Sequence, residues 1–259
     1  MAKDGPNPWD RVSLDYDGQI ISPLLHAQKN PLLARLKKLA GLRTVLDLGC
    51  GTGNLLPQLT QYFPKVTALD GSSGMIEQAK QKFQGQKNVP EYVLGSIENL
   101  AALKRKWDII IAVNSLITTD FAALEKSFAA LSSSLAPDGH LFVIVPSMES
   151  IWEEFRFTYQ QELARYKGKA GKAMAKTKTR KKLDGHRIDW ELGEYHTDDM
   201  SQKYYTWAEL QNLLEKNNLK IKKQDRVLYQ SGPSFNYHDE RAVGQGPQMW
   251  DHYVEAKHY

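Results

Sequence analysis

The chain has 259 residues, of which 41% are hydrophobic and 25% charged, the composition of a water-soluble folded domain that can bury a large core without staples. It has no apolar run long enough to span a bilayer, and its N-terminus, "MAKDGPNPWD", lacks an apolar signal core, so a cytoplasmic location is expected. A single cysteine, Cys50, excludes an internal disulfide and any multi-cysteine metal site, and no metal is expected. The net charge of +4 is uneven: residues 165–187 hold ten Lys or Arg against Asp184 alone, so that segment is +9 and the remainder −5.

In chain order, "NPLLARLKKLAGL" has helical apolar spacing ending near Gly41, and "RTVLDL" reads as a buried strand. "GNLLPQLTQYF" is a helix that Pro57 makes start late or kink. "KVTALD" is a second strand, and "SSGMIEQAKQKFQG" a helix capped by Ser72 or Ser73. "EYVLGS" and "KWDIIIAVNS" are the third and fourth strands, the latter apolar enough for burial on both faces. "DFAALEKSFAALSSSLAPDG" is an amphipathic helix stopped by Pro137 and Gly139, and "HLFVIVPS" is a fifth strand. Strand–helix alternation from Arg43 to Ser147 predicts a doubly wound α/β domain with a parallel sheet. A charged, helix-prone stretch then runs to about Met200. "TWAELQNLLEKNNL" follows as a helix, with "KIKKQDRVLYQ" and "MWDHYVEAKHY" as two last strands.

The first strand runs into Gly49, Gly51 and Gly53. Glycines there let the backbone turn sharply and approach a ligand, while the following helix N-terminus favours an anionic group. Asp70 ends the second strand, where a carboxylate can accept hydrogen bonds from both ribose hydroxyls. Ribose recognition alone leaves two cofactor classes. A dinucleotide site usually carries G-x-G-x-x-G with little acid before it, whereas this chain reads "LDLGCGTG", with Asp47 just ahead of the glycines.

With these motifs the sequence closely resembles the class I S-adenosylmethionine-dependent methyltransferases, clearly over residues 43–147 and more loosely over 203–259. The resemblance implies a seven-stranded Rossmann-like sheet of order 3-2-1-4-5-7-6, the seventh strand antiparallel, with an inserted helical cap. It divides the chain into an N-terminal segment (1–42) contributing to the substrate pocket, a cofactor-binding core (43–147), a cap or lid (148–204) and the rest of the core sheet (205–259). It implies that Gly49 and Gly51 face the methionine part of S-adenosylmethionine, with Asp47 ordering the loop. Asp70 then holds the ribose, Gly71 and Met75 flank the adenine, and Ser96 and Ile97 stand where relatives read adenine, commonly with Asp. Asn114 and Ser115 meet the amino-acid end. Cys50 and Asn54 complete the cofactor-binding set, Cys50 as a small filler of the loop.

Methyl transfer needs an in-line nucleophile and, for an amine or hydroxyl, proton removal, so no dedicated catalytic motif is required. "NPPY", the pattern of many enzymes acting on amide or exocyclic base nitrogens, is absent, and "NSLI" stands in its place. Acceptor residues are expected from the N-terminal segment (Tyr16, His26) and the cap (Glu149, His196, Tyr204, Tyr205, Trp207), with Tyr237 and His238 on a later loop. The favoured reading is methylation of a nitrogen or oxygen of a small molecule, leaving S-adenosylhomocysteine, with the basic stretch as a flexible lid interrupted by Gly168 and Gly171. The alternatives are an RNA or protein methyltransferase docking through residues 165–187 and a non-catalytic cofactor-binding partner. A nicotinamide-dependent dehydrogenase is disfavoured by Asp47 and the loop pattern.

Overall fold

Alternation of apolar residues toward opposite faces builds the protein's central sheet, described by a computed structural model over residues 7–19, 22–41, 43–166, 168–183, 187–196, 200–231 and 247–259. The N-terminal part comprises α1 (Pro8–Val12), a 3-10 turn (Ser13–Asp15), α2 (Tyr16–Gln19) and α3 (Pro31–Lys38). The alternating core follows as β1 (Thr44–Leu48), α4 (Leu56–Tyr62), β2 (Lys65–Asp70), α5 (Ser73–Lys82) and β3 (Glu91–Leu94), then a 3-10 segment (Ile97–Leu103), β4 (Trp107–Val113), α6 (Phe121–Ser134) and β5 (Leu135–Pro146). The chain continues through α7 (Met148–Arg165), α8 (Gly168–Leu183), β6 (Arg187–Asp189), β7 (Glu194–His196) and β8 (Ser201–Lys203). It ends with α9 (Trp207–Lys216), β9 (Leu219–Ser231) and β10 (Gln248–His258).

Seven strands form one sheet of order β3-β2-β1-β4-β5-β10-β9, in which β10 alone is antiparallel to its neighbours. This is the order the resemblance implies. Successive side chains of a strand point to opposite faces, and the two cores divide accordingly. Val45, Ile109, Ile111, Phe142 and Ile144 pack on the face covered by residues of α3, α4, α5 and α7. Leu46, Leu48, Ile110, Ala112, Val143 and Val145 pack on the face covered by α6 and α9. Pro57 sits in the first turn of α4, where its missing N–H costs nothing, and the Ser72 hydroxyl caps α5 by accepting from the Met75 N–H.

Two expectations for the inserted region are corrected. Gly168, with a left-handed backbone (φ 77°), stands at the break between α7 and α8 as expected, but Gly171 interrupts nothing: α8 is one 16-residue helix. Gly171 lies against Tyr166, where a Cβ would come within 2.9 Å of the Tyr166 backbone, so it is a packing requirement. Gly171, Ala175, Thr179 and Leu183 form a buried stripe at i, i+4 spacing, and the Lys182 ammonium donates to Glu162 Oε1 of α7 at 2.6 Å. Secondly, the stretch toward Met200 is not all helix, because β6, β7 and β8 make a small antiparallel sheet. Strands of three residues are too short to display a two-residue period. Among the described residues no helix is long and apolar enough to cross a membrane. Tyr237 and His238 lie outside the described residues.

Candidate active site

The chain leaves β1 through three left-handed glycines, Gly49 (φ 68°), Gly51 (φ 54°) and Gly53 (φ 82°). At Gly49 the reason is spatial as well as conformational, since a Cβ would lie 2.3 Å from the Ser115 Cβ beyond β4. The N–H groups of Gly49 and Cys50 both donate to the Leu69 carbonyl, at 2.7 and 3.0 Å, which ties the loop to β2. Asp70 then ties two loops together: Oδ2 accepts from the Gly51 N–H at 2.9 Å and Oδ1 from the Ser72 N–H at 2.8 Å.

Beyond the carboxyl ends of these strands lies a cleft of about 220 Å³. Its floor is Gly49, Gly51, Asp70 and Gly71, with Met75 and Ile97 as apolar walls beside Gly95 and Ser96, and Asn114 and Ser115 closing one end. Added Cβ atoms at Gly51, Gly71 or Gly95 would meet nothing nearer than 3.8 Å, so these glycines leave the space beside them open. The N-terminal segment forms the roof through Asn7, Trp9 and Tyr16. It is strapped down by three polar side chains. Asn7 Nδ2 donates to the Gly71 carbonyl at 2.8 Å. Asp10 Oδ1 accepts from the Ser72 hydroxyl (2.5 Å) and the Gly74 N–H (2.9 Å). Asp17 accepts from Thr52, Asn54 and Lys82 at 2.9, 2.7 and 2.6 Å.

Electrostatically the cleft is unfinished. Asp47 is 3% exposed and its Oδ2 has no partner; Asn114 Oδ1 and Ser115 Oγ are likewise buried and unpartnered. Burial, with the charge of Asp70 added, pushes Asp47 up to about 7. Burial also raises Asp70, against the N–H groups of Ser72, Gly51 and Gly71 that favour its ionised form. Burial and the charges of Asp70 and Asp17 push the Tyr16 hydroxyl up to about 12, so near neutrality it is a hydrogen-bond donor and not a base. A buried acceptor without a donor costs free energy unless a ligand supplies one. These groups fit S-adenosylmethionine: acceptors for an ammonium, a carboxylate placed for a ribose, and apolar walls for a flat base.

Of the sequence-predicted residues, Gly49, Gly51, Asp70, Gly71, Met75, Ser96, Ile97, Asn114, Ser115 and Tyr16 line one cleft. Asp47 lies buried in β1 and is not itself among the lining residues. Others lie elsewhere. Cys50 packs into the core behind the loop, and burial raises its thiol well above the usual range. The Asn54 side chain is a strut between Asp17 and Lys82. His26 closes a local turn by accepting from the Ser22 N–H, and His196 bonds Ser201 and pairs with Glu194 in the small sheet. The Tyr205 ring is fully buried and its hydroxyl donates to the Leu116 carbonyl at 2.5 Å, leaving it engaged in the core. Tyr204 follows β8 and its hydroxyl accepts from Gln202. Glu149 and Trp207 border a separate hollow of about 340 Å³ with His252 and Trp250. Burial there opposes ionisation of Glu149, but hydrogen bonds from His252 and the Trp207 N–H outweigh it and hold the carboxyl at about 2.

Sequence reasoning missed Asn7 and Trp9, which no spacing distinguishes from an ordinary helix start. It also missed Asp251 on β10, whose signal was visible: an acid inside an apolar strand, on the same face as Tyr253. Its Oδ2 accepts from the Tyr229 hydroxyl at 2.5 Å. Burial raises its carboxyl to about 6, although the Tyr229 hydroxyl and the Asn114 side chain both favour the ionised form.

Residues 45–139 match a family described as a methyltransferase domain. The chain is 39% identical over 99 residues to a malonyl-(acyl-carrier protein) O-methyltransferase of Priestia megaterium, covering 38% of this chain and 34% of that protein. It therefore spans about a third of that relative's length. A protein of the same description from Halalkalibacterium halodurans is 26% identical over 197 residues, 72% of this chain and 69% of its own. Among solved structures, an S-adenosylmethionine-dependent methyltransferase from Clostridium acetobutylicum shares the fold at a TM-score of 0.58 and 18% identity, over 97% of this chain and 99% of that one.

Proposed function

We propose that this chain, whose residues 45–139 match a methyltransferase domain, is a class I S-adenosylmethionine-dependent methyltransferase that transfers the methyl group of its cofactor to an oxygen or nitrogen of a small molecule. The carrying observation is the set of buried unpartnered acceptors, Asp47 Oδ2, Asn114 Oδ1 and Ser115 Oγ, beside the Asp70-anchored glycine loop. In this reading Asp70 holds the ribose and Met75 and Ile97 sandwich the adenine, with Ser96 at its edge. Asn114 and Ser115 take the amino-acid end, with Asp47 buried in β1 just ahead of the glycine loop. The sulfonium supplies an electrophilic methyl when bound, so the chain's task is to orient the acceptor and exclude water. Trp9 and Tyr16, as roof, serve both ends of that task, and aromatic rings tolerate a cation nearby. The relatives' description as O-methyltransferases supports an oxygen acceptor.

A second reading has its own observation. Lys172, Lys176, Lys178, Arg180, Lys181 and Lys182 are all exposed on α8, a cationic face that suits an acceptor presented by RNA or by an acidic protein.

The test is transfer of a labelled methyl group from S-adenosylmethionine into a cell extract separated into small-molecule, protein and RNA fractions. Label among small molecules, insensitive to salt, is expected. Label in protein or RNA that falls steeply with salt would favour the second reading. Cofactor binding with no transfer to any fraction would favour a non-catalytic role. Binding itself is read by melting: at 100 times its dissociation constant a ligand stabilises by about 2.7 kcal/mol, worth roughly 5–10 °C in a chain of this size. Asp70→Ala is expected to remove most of that shift.

A further inference from the structure

Asp251 is a buried acid that the proposed reaction does not use, and its surroundings give it a task. It lies on β10 opposite Pro146, at the carboxyl end of β5. β5 separates β10 from β4 in the sheet, and Asn114 follows the last residue of β4 with a left-handed backbone (φ 49°) and its N–H on the Ile144 carbonyl at 2.8 Å. Asp251 thus stands across the end of β5 from Asn114, whose side chain favours its ionised form, and its Oδ2 accepts from the Tyr229 hydroxyl of β9.

An ionised carboxylate only accepts hydrogen bonds. Asn114 must therefore turn its NH₂ toward Asp251, and its Oδ1 faces the other way. That Oδ1 is the buried, unpartnered acceptor noted above, on a residue that lines the cofactor cleft. A carboxamide has two orientations of equal shape, and a carboxylate behind it distinguishes them. A buried carboxylate held by neutral donors is a poor source of stability compared with a well-packed apolar residue, which argues that Asp251 serves the site.

We propose that Asp251 is a positioning residue: it fixes the Asn114 carboxamide with Oδ1 presented to the amino group of the bound cofactor. This rests on the cofactor reading above and adds to it a residue on the opposite side of the sheet end. Tyr229 is the support that orients Asp251 in turn.

The test uses two probes that share the nucleoside: S-adenosylhomocysteine, which carries the amino-acid end, and 5′-methylthioadenosine, which lacks it. Dissociation constants are measured by calorimetry near neutral pH. Asp251→Asn can offer either an oxygen or an NH₂ and so leaves the Asn114 amide free to flip. It is expected to weaken S-adenosylhomocysteine by about tenfold and leave 5′-methylthioadenosine unchanged. Asn114→Ala should show the same selective loss, and the double variant no further loss, because both act on one contact. Tyr229→Phe, which keeps the ring, should give a smaller loss with the same selectivity and stands in if Asp251→Asn does not fold. Equal weakening of both probes, unchanged S-adenosylhomocysteine affinity, or additive losses in the double variant would each overturn the proposal. Failure of the unaltered protein to bind either probe would instead overturn the cofactor reading, and the positioning role with it.

Discussion

Replacing Asp47 by Asn tests the site's electrostatics without touching its shape. In the folded protein burial raises this carboxyl from 3.8 to about 7, with the charge of Asp70 contributing. The folded chain therefore keeps a proton that the unfolded chain releases. Stability from this group is fully present below pH 3.8 and is lost as pH rises to about 7. At about 1.4 kcal/mol per pH unit the whole window is worth about 4 kcal/mol. Between about pH 5 and about pH 8 roughly 2.5 kcal/mol of it is lost.

Other carboxyls titrate too, so the quantity to measure is the difference between variant and parent. Asn does not ionise. Urea unfolding of both proteins without ligand, at several values across that range, should show Asp47→Asn gaining on the parent by roughly 2.5 kcal/mol as pH rises, or roughly 5–10 °C in melting temperature. Saturating S-adenosylhomocysteine should shrink the difference, because an ammonium in the neighbouring cleft favours the ionised form of a partnerless carboxylate. A difference that stays flat with pH would refute the placement of Asp47 as a desolvated, partnerless acid.

Two further substitutions separate strap from core. Asp17→Ala removes the common acceptor of Thr52, Asn54 and Lys82, and with it one of the three ties that hold the N-terminal roof. Asp17 and Lys82 are over one-third exposed, so unfolding free energy should change by under about 1 kcal/mol, while release of S-adenosylhomocysteine, followed by stopped-flow displacement, should quicken several-fold; an unchanged release rate would show that the roof is not held there. Tyr205→Phe leaves the buried Leu116 carbonyl without its donor and should cost about 1–3 kcal/mol by urea unfolding, with cofactor affinity unchanged; a loss of affinity without loss of stability would return Tyr205 to the site.

The cofactor half of the site was legible because its constraints act on the backbone and are local. A glycine at position 49 is demanded by Ser115 and a left-handed turn, and Asp70 follows on the adjacent parallel strand, so order and spacing carry the geometry. The acceptor half offers no such pattern. Its roof hangs from single side chains such as Asn7 and Asp10, whose partners are more than 60 residues away in sequence. Gly171 looked like a helix breaker because its neighbour, Tyr166, becomes visible only when α7 and α8 pack. Asp251 lay hidden in the reading of its strand as packing, although Asp251 and Tyr253 share a face and Trp250, His252 and Val254 the other. The residues that most oppose good packing are then the informative ones. Asp47 and Asp251 are buried and Asp70 half-buried, and all three are raised by burial; three raised acids in one sheet destabilise the ligand-free protein. A ligand carrying positive charge relieves the same penalty, so the cost to the fold and the affinity for the cofactor are two readings of one electrostatic arrangement.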